Sequence, residues 1–387
     1  MKFRSVFLLV LSHTATDLNQ GAIPVLLPFF IAVHHLNYAT AATIVFATNI
    51  VSSFSQPLFG YAADRRPAPW VIPTAMLFAA LGVSFTGIAP SFRLGIAAFA
   101  LSGLGFAAFH PEGAKLMNYL AGEKKATAMS LFTIGGQLGF AIGPLIATVA
   151  MLEWGLKGTL CLGVPALVLS AFLWRGLPAM SVGYVHRDGG QAAKAIHGGQ
   201  DLWIAFIFLG SALLCRSIIF FGLNTFLPLF WIDVLHQSKA AGGLALTVFF
   251  GAGIMGNFLG GRTADRFGYK IVAVAAFGLL TLLLPLLVIV RDVTLLTLLL
   301  APMGLVLFAP VGPMVVLGQS YLPNHVGFAS GITLGLAFSF GGLTTPLLGW
   351  IGDHHGLRAA LSIVAFLPIV CTGLALALPR PKQTAHA

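Results

Sequence analysis

The chain keeps returning to apolar stretches of about twenty residues, the length a helix needs to cross a bilayer. Nothing constrains its fold more. In hydrocarbon every backbone N–H and C=O must be paired within the segment, so such stretches become helices. Twelve candidates follow one another: 5–33, 41–63, 70–90, 93–118, 126–151, 157–178, 202–233, 241–262, 270–290, 294–320, 327–350 and 358–378. A soluble fold is excluded by the scarcity of charge. Hydrophobic residues make up 58% of the 387 and charged residues only 8%, too few to cover a globular surface. The net charge of +10 does not indicate nucleic acid, because the basic residues form no stripe and sit in the connections between apolar stretches.

Those basic residues set an orientation. With both termini cytoplasmic, fifteen of the 21 Lys and Arg fall on the cytoplasmic side and five on the other, with Arg216 inside the seventh stretch. Lys2 and Arg4 precede an apolar run that is long and has no small-residue cleavage site, so it reads as an uncleaved first helix. The longest polar interval, 179–201, divides the chain into a six-helix half at 1–178 and another at 202–378, followed by a cytoplasmic tail at 379–387. The halves repeat. Gly60-Tyr-Ala-Ala-Asp64-Arg65-Arg66 matches Gly261-Arg-Thr-Ala-Asp265-Arg266 at an offset of 201, Pro28 aligns with Pro228, and Pro144 with Pro346. Gly105 and Pro111 align with Gly304 and Pro310. The expectation is an all-α integral membrane protein: twelve transmembrane helices in two pseudo-symmetric halves, with a site between them near the midplane.

One polar break stands out in the first stretch, His13-Thr-Ala-Thr-Asp17-Leu-Asn-Gln20-Gly21. A carboxylate at membrane depth costs about 3 kcal/mol or more and marks a functional site by default. His13 and Asp17 are one helical turn apart and share a face with Gln20 and Pro24. The equivalent face of the seventh stretch carries Arg216 and Asn224. A guanidinium stays charged at cellular pH and recognises carboxylate or phosphonate oxygens in bidentate fashion. Arg216 therefore reads as a site for an anion or as the ion-pair partner of Asp17 or Glu112. His110, Glu112 and Lys115 occupy the fourth stretch, and Gln137 and Gln319 are uncharged candidates for a cavity wall. Gly139, Gly143 and Pro144 form a small-residue face with a kink, while Pro310 and Pro346 mark bendable points in the second half. No phosphate-cradling loop, HExxH, GxSxG or metal-ligand spacing is present, so neither an enzyme, a metal nor a cofactor is expected. The three cysteines, far apart in apolar stretches, read as inert.

The paired loops Gly60–Arg66 and Gly261–Lys270 resemble the G-x-x-x-D-R-x-G-x-K signature of the major facilitator superfamily; the first copy departs with Pro67 where glycine is usual. His13-x-x-x-Asp17-x-x-Gln20-Gly21 with Pro24 and Pro28, Gly105–Gly113 and Gln319-x-x-x-Pro323 resemble its fosmidomycin-resistance subfamily. The arginine of the fourth-helix R-x-x-x-G-x-G pattern is missing, with Phe99 in its place.

The resemblance implies a proton-coupled antiporter in a bacterial inner membrane, exporting small anionic drugs or phosphonates by alternating access. A symporter importing an organic anion is the alternative. It implies that Gly60, Asp64 and Arg65, with Gly261, Asp265 and Arg266, latch one half against the other. It brings Asp17, Glu112, His110 and His13 into one proton-coupling cluster, and gives the fifth-helix glycine–proline motif to exporters that run against protons. The implied partners are a small anionic substrate, protons and the lipid bilayer, in a monomer powered by the proton gradient alone.

Overall fold

Helices end where the chain supplies a residue that tolerates a reversed backbone. Gly155, Gly268 and Gly356 adopt φ of +56°, +99° and +82° at three of the turns, and His35 and His236 (φ 51° and 55°) at two more. Capping side chains start others: Ser238 accepts from Ala241 N–H, and Asp292 from Leu295 N–H. The computed structural model describes residues 3–65, 68–121, 125–181, 200–325, 329, 332–333 and 337–379.

The first half contains α1 (Phe3–His34), α2 (Tyr38–Arg65), α3 (Val71–Thr86), α4 (Phe92–Ala121), α5 (Lys125–Trp154) and α6 (Thr159–Ser181). The second contains α7 (Trp203–Leu229), running into a π-helical turn at Phe230–Val234, then α8 (Lys239–Phe267), α9 (Tyr269–Leu283) and the single turn α10 (Leu286–Ile289). After them come α11 (Val293–Phe308), α12 (Val311–Tyr321), α13 (Ala337–Leu343), α14 (Thr345–His355) and α15 (Leu357–Ala377). The tenth pass is broken at Ala309-Pro310 between α11 and α12, and Pro346 opens α14 after the break at Thr344, so both prolines sit at interruptions. Eight stretches among the described residues are long and apolar enough to span a membrane, and one of them, Leu131–Ser181, holds two passes. The passes outside that set are α2, the 16-residue α3 and the broken α13–α14 pair. Most of the 179–201 interval and of the 379–387 tail lies outside the described residues.

Each half packs by the same rule, and the repeat shows in the packing atoms. Gly103 of α4 lies flat against the Thr48 carbonyl of α2, and Gly304 of α11 against the Phe249 carbonyl of α8. Both pairs are offset by 201 residues. The partner of Gly304 is thus Gly103, two residues before the expected Gly105, which packs instead on Ala75 and Ala79 of α3. The alignment of Pro111 with Pro310 shifts with it. Sequence matching chose the wrong glycine because both stretches carry more than one small residue.

The halves meet through α5 on α8 and α2 on α14. Their tightest contacts sit at the face opposite the start of α1. Asp353 of α14 accepts from the backbone N–H groups of Tyr38 (2.7 Å) and Ala39 (2.9 Å), capping α2 from the other half. Tyr38 Oη donates to Asp233 (2.9 Å), and Lys239 Nζ lies 4.2 Å from the Phe29 ring centroid. From that seal the halves diverge toward the face where α1 begins, termed here the N-terminal face.

Candidate functional site

Between the halves lies a cavity of about 490 Å³, its lining drawn from the middle of the bundle to the N-terminal face. The first half supplies α1 (His13, Asp17, Gln20), α2 (Asn49, Ser52, Gln56), α4 (His110, Pro111, Ala114) and α5 (Phe132 to Phe140). The second supplies Arg216 and Phe220 of α7, Phe250 to Asn257 of α8, and Phe308 and Val311. Phe140 and Phe220, with ring centroids 6.5 Å apart, close the floor across the two halves. Beneath that floor a void of about 10 Å³, room for a single water, is bordered by Gln20, Pro24, Asn49 and Asn224.

The wall of the first half centres on a triad of buried His13 and Asp17 with half-buried His110. His13 Nε2 lies 3.1 Å from Asp17 Oδ2, and His110 Nε2 lies 3.2 Å from Asp17 Oδ1. Each imidazole is also pinned by its other nitrogen. His13 Nδ1 donates to the Phe132 carbonyl (2.7 Å), and His110 Nδ1 to the Phe106 carbonyl (2.6 Å). The His13 ring stacks on Phe132 at 4.0 Å between centroids, which fixes its plane. α5 comes this close because it is bare there. A Cβ at Gly136 would stand 2.6 Å from Asp17 Oδ2 and 2.7 Å from His13 Nε2. Gly139 meets the Thr14 carbonyl and Gly143 the Leu18 carbonyl, so the small-residue face of α5 is the α1–α5 seam. Pro144, in the same helix, leaves its carbonyl to the Thr148 hydroxyl (2.7 Å). The three donor atoms of the triad lie within 4.8 Å of one another, close enough to share a small cation. His110 lies 93 residues from Asp17, so spacing alone does not group them; the family resemblance did.

Glu112 does not join the triad. It is buried, but Oε1 accepts from the Ala68 N–H (3.0 Å) at the entrance to α3. Two residues along a helix turn about 200°, so a side chain at 112 faces away from one at 110. Lys115 Nζ reaches the Ala63 carbonyl (2.6 Å), and together these two side chains fasten α4 to the α2–α3 connection.

The opposing wall centres on Arg216, 4% exposed. Its Nε donates to the Leu307 carbonyl (2.9 Å) and its guanidinium stands 5.6 Å from the Phe308 ring centroid. No carboxylate among the described residues lies within ion-pair distance of it, so the alternative reading, a pairing with Asp17 or Glu112, is not made in this conformation. Phe220, Phe250 and Phe308 pack around it with centroids 5.8 to 6.1 Å apart. Sequence reasoning missed these rings, since in a chain with 32 Phe nothing distinguishes one facing a cavity from one facing lipid.

The remaining candidates divide. Gln20 and Gln137 line the cavity, whereas Asn224 borders only the void beneath the floor, its Oδ1 buried without a hydrogen-bond partner among the described residues. Gln319, half-buried on α12, is not part of the lining. In the second loop motif Asp265 and Arg266 are exposed, Arg266 resting on the Phe267 ring at 5.2 Å. Gly261 has open space around it, and Gly60 faces Pro111 at van der Waals distance. The side chains of Asp64 and Arg65 lie outside the described residues.

Comparison with known proteins agrees with this architecture. The model of the Major Facilitator Superfamily matches residues 9–343 and 209–387. The chain is 30% identical over 381 residues to an uncharacterized MFS-type transporter, YfnC, of Bacillus subtilis, covering 96% of this chain and 91% of that one. It is 28% identical over 369 residues to the fosmidomycin resistance protein of Escherichia coli, covering 93% and 89%. Its fold matches a bacterial homolog of the human lysosomal transporter Spinster in an inward-facing, occupied conformation (TM-score 0.81, 14% identity, 97% of each chain). It also matches the nucleoside transporter NupG (TM-score 0.75, 17% identity, 96% and 98%).

Proposed function

The chain belongs to the major facilitator superfamily, a multi-pass membrane transporter and not an enzyme, and from that premise we propose a proton-coupled antiporter that exports a small anion of the phosphonate class. One observation carries the anion: Arg216 is buried at the cavity wall with no carboxylate partner among the described residues. A buried guanidinium is costly unless paired, and a cargo oxyanion would supply the missing partner with parallel N–H···O bonds. The cavity lies within the 300–1,000 Å³ range typical of small-molecule sites, and its aromatic floor suits a compact apolar stem. The E. coli relative, a fosmidomycin resistance protein, supports the direction of export and the phosphonate class.

Alternating access would exchange the seal at Asp353 for one at the N-terminal face, where Asp265 and Arg266 are free to engage. With that face cytoplasmic, as the basic residues favour, the present conformation would load cargo from the cytoplasm of a bacterial cell. A monomer of two six-helix halves joined by the 179–201 linker suffices for this cycle.

Proton-coupled import of an organic anion is the second reading, and the triad favours it in one respect. Protonated imidazoles beside the cavity add positive charge where an anion arrives, and binding the two together is the arithmetic of symport. Everted vesicles separate the readings. An acidic lumen should drive fosmidomycin uptake from the outward-facing cytoplasmic side under antiport; uptake that is instead suppressed when the lumen is made acidic establishes symport. Absence of flux above protein-free liposomes would reject both.

A further inference from the structure

The hydrogen bonds of the triad fix where its protons go, and we propose that His13, Asp17 and His110 form a two-proton site whose exchangeable positions are the two Nε2 atoms. This rests on the reading of the protein as proton-coupled. A carbonyl oxygen can only accept, so Nδ1 of His13 must carry hydrogen toward Phe132, and Nδ1 of His110 toward Phe106. In the neutral ring the other nitrogen is then a bare lone pair. Both Nε2 atoms nevertheless face carboxylate oxygens at 3.1 and 3.2 Å, contacts that pair acceptor with acceptor unless a proton lies in each. Two protons satisfy the whole arrangement. The carboxylate then receives one N⁺–H donor on each oxygen, and neither imidazole changes its bond to the backbone.

The charge of the triad accordingly runs from −1 with no exchangeable proton, through zero, to +1 with two. Asp17 remains the fixed anion, and the histidines, rather than the carboxylate, carry the load. The surroundings add little competing charge. From α2 the cavity receives Asn49, Ser52 and Gln56, from α5 Gln137 and from α8 Asn257, all uncharged. Glu112 and Lys115 of α4 are engaged at the α2–α3 connection, which leaves Arg216 of α7 as the other charged side chain among the lining residues. A swing of two units thus faces the guanidinium across the cavity.

The test reads proton position without transport, so its failure is separable from failure of the proposed function. The full chain, labelled with 15N on histidine side chains and placed in lipid nanodiscs, is titrated by NMR. His13→Gln and His110→Gln spectra assign the two signals among the 11 histidines. At high pH both should show hydrogen on Nδ1 and a bare Nε2, the reverse of the tautomer free histidine favours in water; on acidification both Nε2 atoms should gain protons. Asp17→Asn, which removes the anion that both Nε2 atoms face, should change both Nε2 signals while elution on gel filtration stays unchanged. A neutral ring with hydrogen on Nε2, titration of only one histidine, or an equimolar zinc ion retained through purification would each overturn the proposal.

Discussion

The two walls of the cavity come from repeated halves but diverge in their chemistry. One packing contact repeats between them, with Gly103 on the Thr48 carbonyl in one half and Gly304 on the Phe249 carbonyl in the other. The polar groups do not repeat. The wall of α1 and α4 is a carboxylate between two imidazoles, every one of them partnered; the wall of α7 is a guanidinium with one backbone bond, set among phenylalanines. A fold that needs symmetry to rock holds symmetry in its backbone contacts. The side chains break it, and under the proposed proton-coupled transport the wall of α1 and α4 would serve the proton and the wall of α7 the cargo.

Removing the permanent charge should show that division most clearly. Arg216→Ala is expected to weaken binding of an anionic cargo by two to three orders of magnitude, about 3–4 kcal/mol, measured by calorimetry on the purified protein. Proton titration of the triad should survive it. If cargo binding were untouched, the assignment of the α7 wall would be lost. Asp17→Asn should give the complementary phenotype. Uphill transport is expected to fall at least tenfold in everted vesicles, while counterflow, which needs no net proton movement, continues.

Gly136→Ala tests the first wall without altering a charge. Its new methyl would press on Asp17 and His13, destabilising by about 1–3 kcal/mol and broadening the pH profile of transport. The smallest effect is expected from Glu112→Gln. Its hydrogen bond to Ala68 is worth about 1–2 kcal/mol, so thermal unfolding should shift by a few degrees with proton coupling intact. A coupling defect as severe as that of Asp17→Asn would return Glu112 to the triad and blur the two walls.

Much of this was legible in the residues. The helical passes follow from apolar length, the halves from the repeated loop, and the His13–Asp17 pair from a spacing of four. The distant partner His110 was legible as a candidate, but its neighbour Glu112 was misplaced by ignoring helical rotation. Other features needed three dimensions. That Arg216 has no carboxylate partner among the described residues depends on how far the halves have parted, a property of one conformation and not of the sequence. Which phenylalanines face the cavity is likewise set by helix rotation within an apolar ring, where a hydropathy pattern is flat.

The cap that Asp353 places on α2 holds backbone and not side chains. Its two acceptor contacts are made to the N–H groups of Tyr38 and Ala39, which every residue but proline provides. The Asp353 cap therefore reads no α2 side chain, unlike the bond from the Tyr38 hydroxyl to Asp233 beside it. An alanine or cysteine scan along α2 leaves both N–H groups in place and registers at this face through the Tyr38 hydroxyl alone. Proline at 39, tolerated in the first turn of a helix, would remove one of the two bonds and leave every charge in place.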